Sequence, residues 1–269
     1  MGKDRATTWL EVDKAPDEVQ RAAAKAGLGS RYIEYRAGIS RGLATAFKVI
    51  CFGLYVFVMA AFLRYSLRDG NVYLILLFGS LLVVTAVYMC VIARALMAVG
   101  DKVYLFDSGL VHRSRAGRVR IFQWPTIAVY RDISRTVRGG QTMWVDYKFT
   151  LRRPDGQSLV VNHNMYWDIE KLGGHIENAV THAQLPVAAE AVSGGEPVDF
   201  GRFRIDTHGI TDRKGLVPWS EVDAIHMANG QVGVWRRRKR RQTKEWIRKV
   251  PNVHVFVALA QTMLLASRG

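Results

Sequence analysis

The residues best equipped for chemistry lie around Trp235 and Trp246. Arg236, Arg237, Arg238, Lys239, Arg240 and Arg241 follow one another, Lys244 comes three residues later, and Arg248 with Lys249 closes the run. Against these nine cations stands Glu245 alone, so fourteen residues hold +8 of the chain's formal +15. A guanidinium keeps its proton at physiological pH, so such a run recognises anions rather than moving protons. Three meanings stand side by side. The run is a solvated hairpin tip between strands ending near Trp235 and Trp246. Or it is drawn to an anionic membrane leaflet, at up to about 1 kcal/mol per basic residue near the surface. Or Arg and Trp together contact phosphates and bases, or an acidic protein, with steep salt dependence. No nucleic-acid fold signature accompanies that third meaning, and nucleic acid is the runner-up partner.

Catalysis has no comparable foothold. His112, His163, His175, His182, His208, His226 and His254 are scattered, and His175 and His182 stand seven apart, too far for an i, i+4 metal pair. Asp132, Asp146 and Asp155 are separated by turns, with no nucleophile nearby and no phosphate-cradling glycine loop. The expectation is a non-enzyme without catalytic residues, cofactor or metal.

The elements that position the basic run follow from period and punctuation. Lys102 to Asp107, Leu110 to Arg115, Val119 to Trp124, Ile127 to Asp132, Met143 to Arg152 and Ser158 to His163 read as short strands, with Gly109, Gly117, Gly139-Gly140 and Pro154-Asp155-Gly156 as turns. A helical period starts at Trp167, capped by Asp168, with Ile169, Leu172, Ile176, Ala179 and Val180 on one face. Leu185 to Pro197 reads as a linker or a trailing helix end.

An internal repeat divides this region. Phe106-Asp107-Ser108-Gly109-Leu110 aligns with Asp206-Thr207-His208-Gly209-Ile210, and Phe122-Gln123-Trp124-Pro125-Thr126-Ile127 aligns with Val217-Pro218-Trp219-Ser220-Glu221-Val222. Val255, Leu259, Met263 and Leu264, after Pro251, suggest a second closing helix equivalent to the first.

Upstream lie two apolar runs, Val49 to Leu63 and Val72 to Ala93, the second with 22 residues and no charge. At about 1.5 Å per residue that run reaches the thickness of a hydrocarbon core. Gly79, Ala86, Cys90 and Ala93 form a small-residue stripe, and Asp69-Gly70-Asn71 supplies turn chemistry. The expectation is a transmembrane helical hairpin with spans at about 43–64 and 72–93. Lys and Arg number four between Arg31 and Lys48, six between Arg94 and Arg120, and two in the connecting loop, which places both termini in the cytoplasm. Cys51 and Cys90, the only cysteines, read as apolar packers. Asp17 to Ala26 suggests a short helix capped by Gly27, while Arg31, Tyr32, Tyr35, Arg36 and Arg41 suit a membrane interface.

Phe203 to Ile210, Val217 to Val222 and Val250 to Phe256 resemble bacterial membrane proteins of a domain-of-unknown-function family, in which a membrane hairpin precedes pleckstrin-homology-like (PH-like) domains. The resemblance covers roughly residues 100 to 266 and carries no catalytic residue. It implies an α+β chain: a cytoplasmic segment (1–42), a transmembrane hairpin (43–94), a PH-like domain (95–185), a linker (186–198) and a second PH-like domain (199–269), each domain closed by a C-terminal helix. The combined expectation is a multi-pass protein of the bacterial inner membrane, scaffolding through its modules, with acidic lipid head groups or an unidentified protein as partner.

Overall fold

β1 (Leu10–Glu11) leads through a single 3-10 turn into α1 (Asp17–Ala26), which stops where Gly27 takes a left-handed φ of 62°. That stop is the glycine cap expected from the sequence. The computed structural model of the chain describes residues 10–37, 53, 55–65, 67–68, 72–97, 100–138, 141–163, 165–166, 168–237 and 239–268. The fold is α+β, assembled from several small antiparallel sheets.

β2 (Arg31–Arg36) corrects the expected membrane-interface segment. Its Tyr32 and Tyr35 are buried, and the strand pairs with β3 beyond the apolar runs, from Tyr32 opposite Phe106 to Arg36 opposite Lys102. Just past that ladder, the Ala37 N–H donates to the Asp101 carbonyl at 3.0 Å. The segment between them therefore leaves and re-enters the fold at one point, between two neighbouring strands. Its described portion includes helical residues 55–65 and α2 (Val72–Met97).

The transmembrane hairpin is not supported. A span needs an unbroken apolar helical stretch of about 20 residues, and among the described residues no helix is long and apolar enough to cross a membrane. The two-span anchor, the integral membrane partnership and the multi-pass inner-membrane location resting on it are withdrawn. Residues 38–52 and 69–71, which include Arg41, Cys51 and the expected Asp-Gly-Asn turn, lie outside the described residues.

β3 (Lys102–Phe106), β4 (Gly109–Arg113) and β5 (Val119–Gln123) complete a sheet in the order β1-β2-β3-β4-β5. β6 (Ala128–Arg138), β7 (Gln141–Arg152) and β8 (Ser158–Asn162) form a second sheet. α3 (Ile169–Ser193) follows, and it runs through Pro186, so the stretch read as linker or helix end is helix as far as Ser193.

The second half repeats this plan. β9 (Val198–Phe200), β10 (Phe203–Ile205), β11 (Gly209–Asp212) and β12 (Gly215–Pro218) form a four-stranded sheet. β13 (Val222–Ala228), β14 (Gln231–Arg236) and β15 (Lys239–Trp246) form a three-stranded one, and α4 (Val253–Ala266) follows. Aligned by register, β9 corresponds to β2 and β10 to β3. Between β9 and β10 the chain turns in two residues, with Phe200 opposite Phe203 and Gly201 at φ 73°. The apolar segment of the first half is thus an insertion where the second half needs only a tight turn.

One apolar core serves both halves. Trp124, Leu151, Ile176 and Val180 belong to the same buried cluster as Phe203, Phe256 and Leu259, and Phe203 stacks on Phe256 with centroids 4.8 Å apart. Each such side chain contributes about 1.5–3 kcal/mol by leaving water. A smaller cluster seats Val19 and Ala23 of α1 on Tyr104, Phe106 and Val111, the opposite face of the first sheet.

Candidate functional site: the basic hairpin and the cleft beside it

The expected hairpin between Trp235 and Trp246 is present, but most of its cations sit on strand rather than on a tip. β14 and β15 pair from Gln231 opposite Trp246 to Arg236 opposite Lys239. Lys239, Arg240, Arg241 and Lys244 are positions of β15, the outer strand of its sheet, and Arg237 is exposed at the turn. Arg248 and Lys249 occupy a 3-10 turn, Ile247–Lys249. Arg238 lies outside the described residues. A basic edge strand keeps other strands from pairing with it, so part of this charge has a purely structural use.

Each flanking indole meets a cation. Lys244 Nζ lies 5.6 Å from the Trp235 ring centroid, and the Arg248 guanidinium carbon lies 5.6 Å from that of Trp246. Such contacts are worth about 0.5–1 kcal/mol at exposed sites. His226 meets the edge of Trp235, with centroids 5.2 Å apart.

Glu245, the lone acid of the run, is a structural residue. It is buried, accepts from the Trp246 N–H at 3.0 Å and is bonded by the Arg202 guanidinium. Burial alone would raise its pKa, but the Trp246 N–H together with Arg202 and Lys249 holds it below the usual carboxylate value. Two residues earlier on the same strand, Thr243 donates to Asp212 Oδ2 at 2.5 Å. Glu245, Arg202 and Asp212 belong to the lining of a solvent-open cleft between β15 and the four-stranded sheet, where Arg204, Arg213 and Lys249 also stand with Asp199. Sequence reasoning did not find this cleft, because it joins positions some 40 residues apart.

The scattered histidines do not assemble. His112 Nε2 lies 3.2 Å from Asp101 Oδ2, and burial keeps its pKa below the ordinary value although Asp101 pulls upward. His175 Nδ1 bonds the Tyr35 hydroxyl at 2.9 Å, and burial with nearby Asp168 pushes that hydroxyl up to about 12. His208 sits beside Asp206 on the β10–β11 turn, while His254 is in a polar cluster with Arg131 and Glu177. Asp132 and Asp146 face Lys148 and Ser134 across the β6–β7 ladder, and Asp155 pairs with Arg153 at 2.9 Å. Among the described residues no group of three or more His, Cys, Asp or Glu could hold a metal ion. What the arrangement offers is a cationic surface, suited to binding.

No curated protein and no solved structure is matched by this chain. The family of unknown function DUF6585 matches it over residues 13–268, and the chain belongs to that family.

Proposed function

We propose that this protein is a binding or scaffolding protein whose second half engages acidic lipid head groups through the β14–β15 hairpin. The observation that carries the reading is the alignment of Lys239, Arg240, Arg241 and Lys244 along one outer strand, continued by Arg248, with an indole beside a cation at Trp235 and again at Trp246. Cations draw the surface toward anionic head groups, and an exposed indole such as Trp246 suits the interfacial layer. The PH-like reading belongs with this proposal. It is supported by the plan common to both halves, four antiparallel strands, then three, then a closing helix, with β1 and α1 added to the first. Fold analogy leaves the ligand open, so the site must decide it.

The test uses the full chain and vesicles of phosphatidylcholine with and without phosphatidylserine. Binding should require the anionic lipid and weaken as salt rises from about 50 to 300 mM, because screening shortens to a few ångströms. Replacing Arg236, Arg237, Arg238, Lys239, Arg240 and Arg241 by Gln should remove it. Binding unchanged by that replacement overturns the assigned surface. A single-stranded oligonucleotide bound more tightly than the vesicles at equal salt replaces the lipid by nucleic acid.

A further inference from the structure

The internal repeat lets one face of the first half be laid over the same face of the second, position by position. Tyr104 stands opposite Val111 as Arg204 stands opposite Thr211, and Val111 opposite Ile121 as Thr211 opposite Leu216. Two residues beyond Val111 and Thr211, Arg113 falls on Arg213.

In the first half this face is covered by a helix. Val19 and Ala23 of α1 share a buried cluster with Tyr104 and Val111, and Ile121 packs against it. Glu18, in the first turn of α1, pairs with the Arg113 guanidinium at 3.0 Å. The second half has no counterpart of α1, because α3 ends at Ser193 and β9 already starts at Val198. Arg204, Arg213 and Leu216 are therefore exposed.

The chemistry of the face has changed together with its cover. Tyrosine and valine have become Arg204 and Thr211, while the arginine that Glu18 holds in the first half is kept as Arg213. Among the described residues no acid pairs with Arg213. Arg202 and Lys249 line the cleft on the same side, and Arg202 Nε is a buried donor without an acceptor, although its Nη1 serves Glu245. Asp212 and Glu245 are buried and already bonded, to Thr243 and to Arg202. Asp199, 3.5 Å from Arg204, is the exposed acid of this lining, so the cations outnumber the carboxylates left to meet them.

We propose that this face is the docking site of an acidic amphipathic helix from a partner protein, seated as α1 is seated on the first half. A carboxylate in the place of Glu18 meets Arg213. A second, in the place of Val19 or Ala23, meets Arg204, and an apolar side chain of the same helix covers Leu216. The α1 helix of another copy does not fit, since Val19 and Ala23 would bury a guanidinium without a partner. An added strand does not fit either, because β10 and β11 are paired on both sides and offer side chains rather than a free ladder. The site goes beyond the lipid reading of the β14–β15 hairpin and does not depend on it. A chain that holds a membrane at the hairpin and a helix on this sheet brings the two together, which is what a scaffold does.

The probe is a fluorescent peptide of residues 15–27 of this chain with Val19→Glu and Ala23→Glu, lengthened by about two alanine turns so that it is helical in water. Anisotropy is read against the full chain at about 150 mM salt, where charges beyond about 8 Å are screened. The chain should bind this peptide, and should bind the same peptide with Gln at 18, 19 and 23 about tenfold more weakly. Arg204→Gln and Arg213→Gln, both at exposed positions, should each weaken binding about three- to tenfold. Replacing Arg236 to Arg241 by Gln should leave it within about twofold, which separates this face from the hairpin. No binding below about 1 mM, equal binding of the two peptides, or a loss that follows the hairpin replacement instead of Arg204 and Arg213 overturns the site. Inorganic pyrophosphate that binds more tightly than the peptide and displaces it makes the face a small-anion site and overturns the helix.

Discussion

Trp124 and Trp219 make the same two hydrogen bonds at the same places in the two halves. Each indole Nε1 donates to the carbonyl three residues before the turn glycine, Phe106 at 3.1 Å and Asp206 at 3.2 Å. Each tryptophan backbone N–H donates to the carbonyl just before that glycine, Ser108 at 3.2 Å and His208 at 3.1 Å. The strands between keep register as well, with Gly109 opposite Gln123 and Gly209 opposite Pro218. The internal repeat is therefore a repeat of hydrogen bonding. Trp124→Phe and Trp219→Phe should each cost about 1–3 kcal/mol, by leaving a strand-end carbonyl unpaired and a gap beside it. Urea unfolding of both variants checks this, and a cost confined to one of them would break the equivalence.

The repeat was legible because its signals are local: a strand, a turn glycine, a strand and a tryptophan all fall within about 20 residues. The pairing of β2 with β3 was not, since a strand's partner leaves no trace when some 65 residues intervene. Arg31, Tyr32, Tyr35 and Arg36 have the composition of a membrane interface, and only the ladder to Lys102–Phe106 reveals them as a sheet strand. The basic run could be read directly, whereas the partners of Glu245 and His254 come from elements 43 and 123 residues away. Charge runs are written in sequence, and clefts and seams are written in topology.

Gly173 and Gly174 are adjacent on α3, yet replacing each by Ala should have opposite effects. A methyl at Gly173 would meet the Phe149 ring at 2.1 Å, while one at Gly174 meets nothing within 4 Å. Gly173→Ala should lose about 1–3 kcal/mol through overpacking. Gly174→Ala should gain about 0.5–1 kcal/mol, as alanine is the better helix former. Thermal or urea unfolding of the pair reads both signs.

Acid should weaken the protein in two steps. Burial lowers the pKa of His112 below its model-peptide value of 6.5, so the unfolded chain binds that proton more readily. The stability His112 contributes is complete above about pH 6.5 and is lost as pH falls through its folded value. Glu34 and Glu245 are lowered despite burial, Glu34 by Arg36 and Lys102, so their contributions are present above about pH 4.5 and lost below it. Urea midpoints from pH 7.5 to 3.5 should show both falls, and His112→Asn should flatten only the upper one.

Asn252 gives the sharpest test of the seam between the two halves, because its amide donates and accepts at once. Asn252→Asp preserves the side chain's shape and the acceptor for the Val129 N–H. It turns the nitrogen that donates to the Ile127 carbonyl and Gln184 Oε1 into an oxygen, set against two oxygens at 3.0 and 2.7 Å. Gln184 can rotate its amide to answer, but that would surrender the bonds its own Nε2 makes to the Trp124 and Ile127 carbonyls at 2.7 and 2.9 Å. Asn252→Ala loses both Nδ2 bonds and also the acceptor for the Val129 N–H, but adds no charge. Asn252→Asp should therefore be the more destabilising at neutral pH, by about 1–3 kcal/mol over Asn252→Ala, since it leaves a partly buried carboxylate facing acceptors. The gap should narrow as pH falls toward the carboxyl's own range, where a proton restores one donor. Urea unfolding of both variants at pH 7 and pH 4.5 measures the gap, and variants equal at pH 7 would show that the seam does not depend on the Asn252 donor.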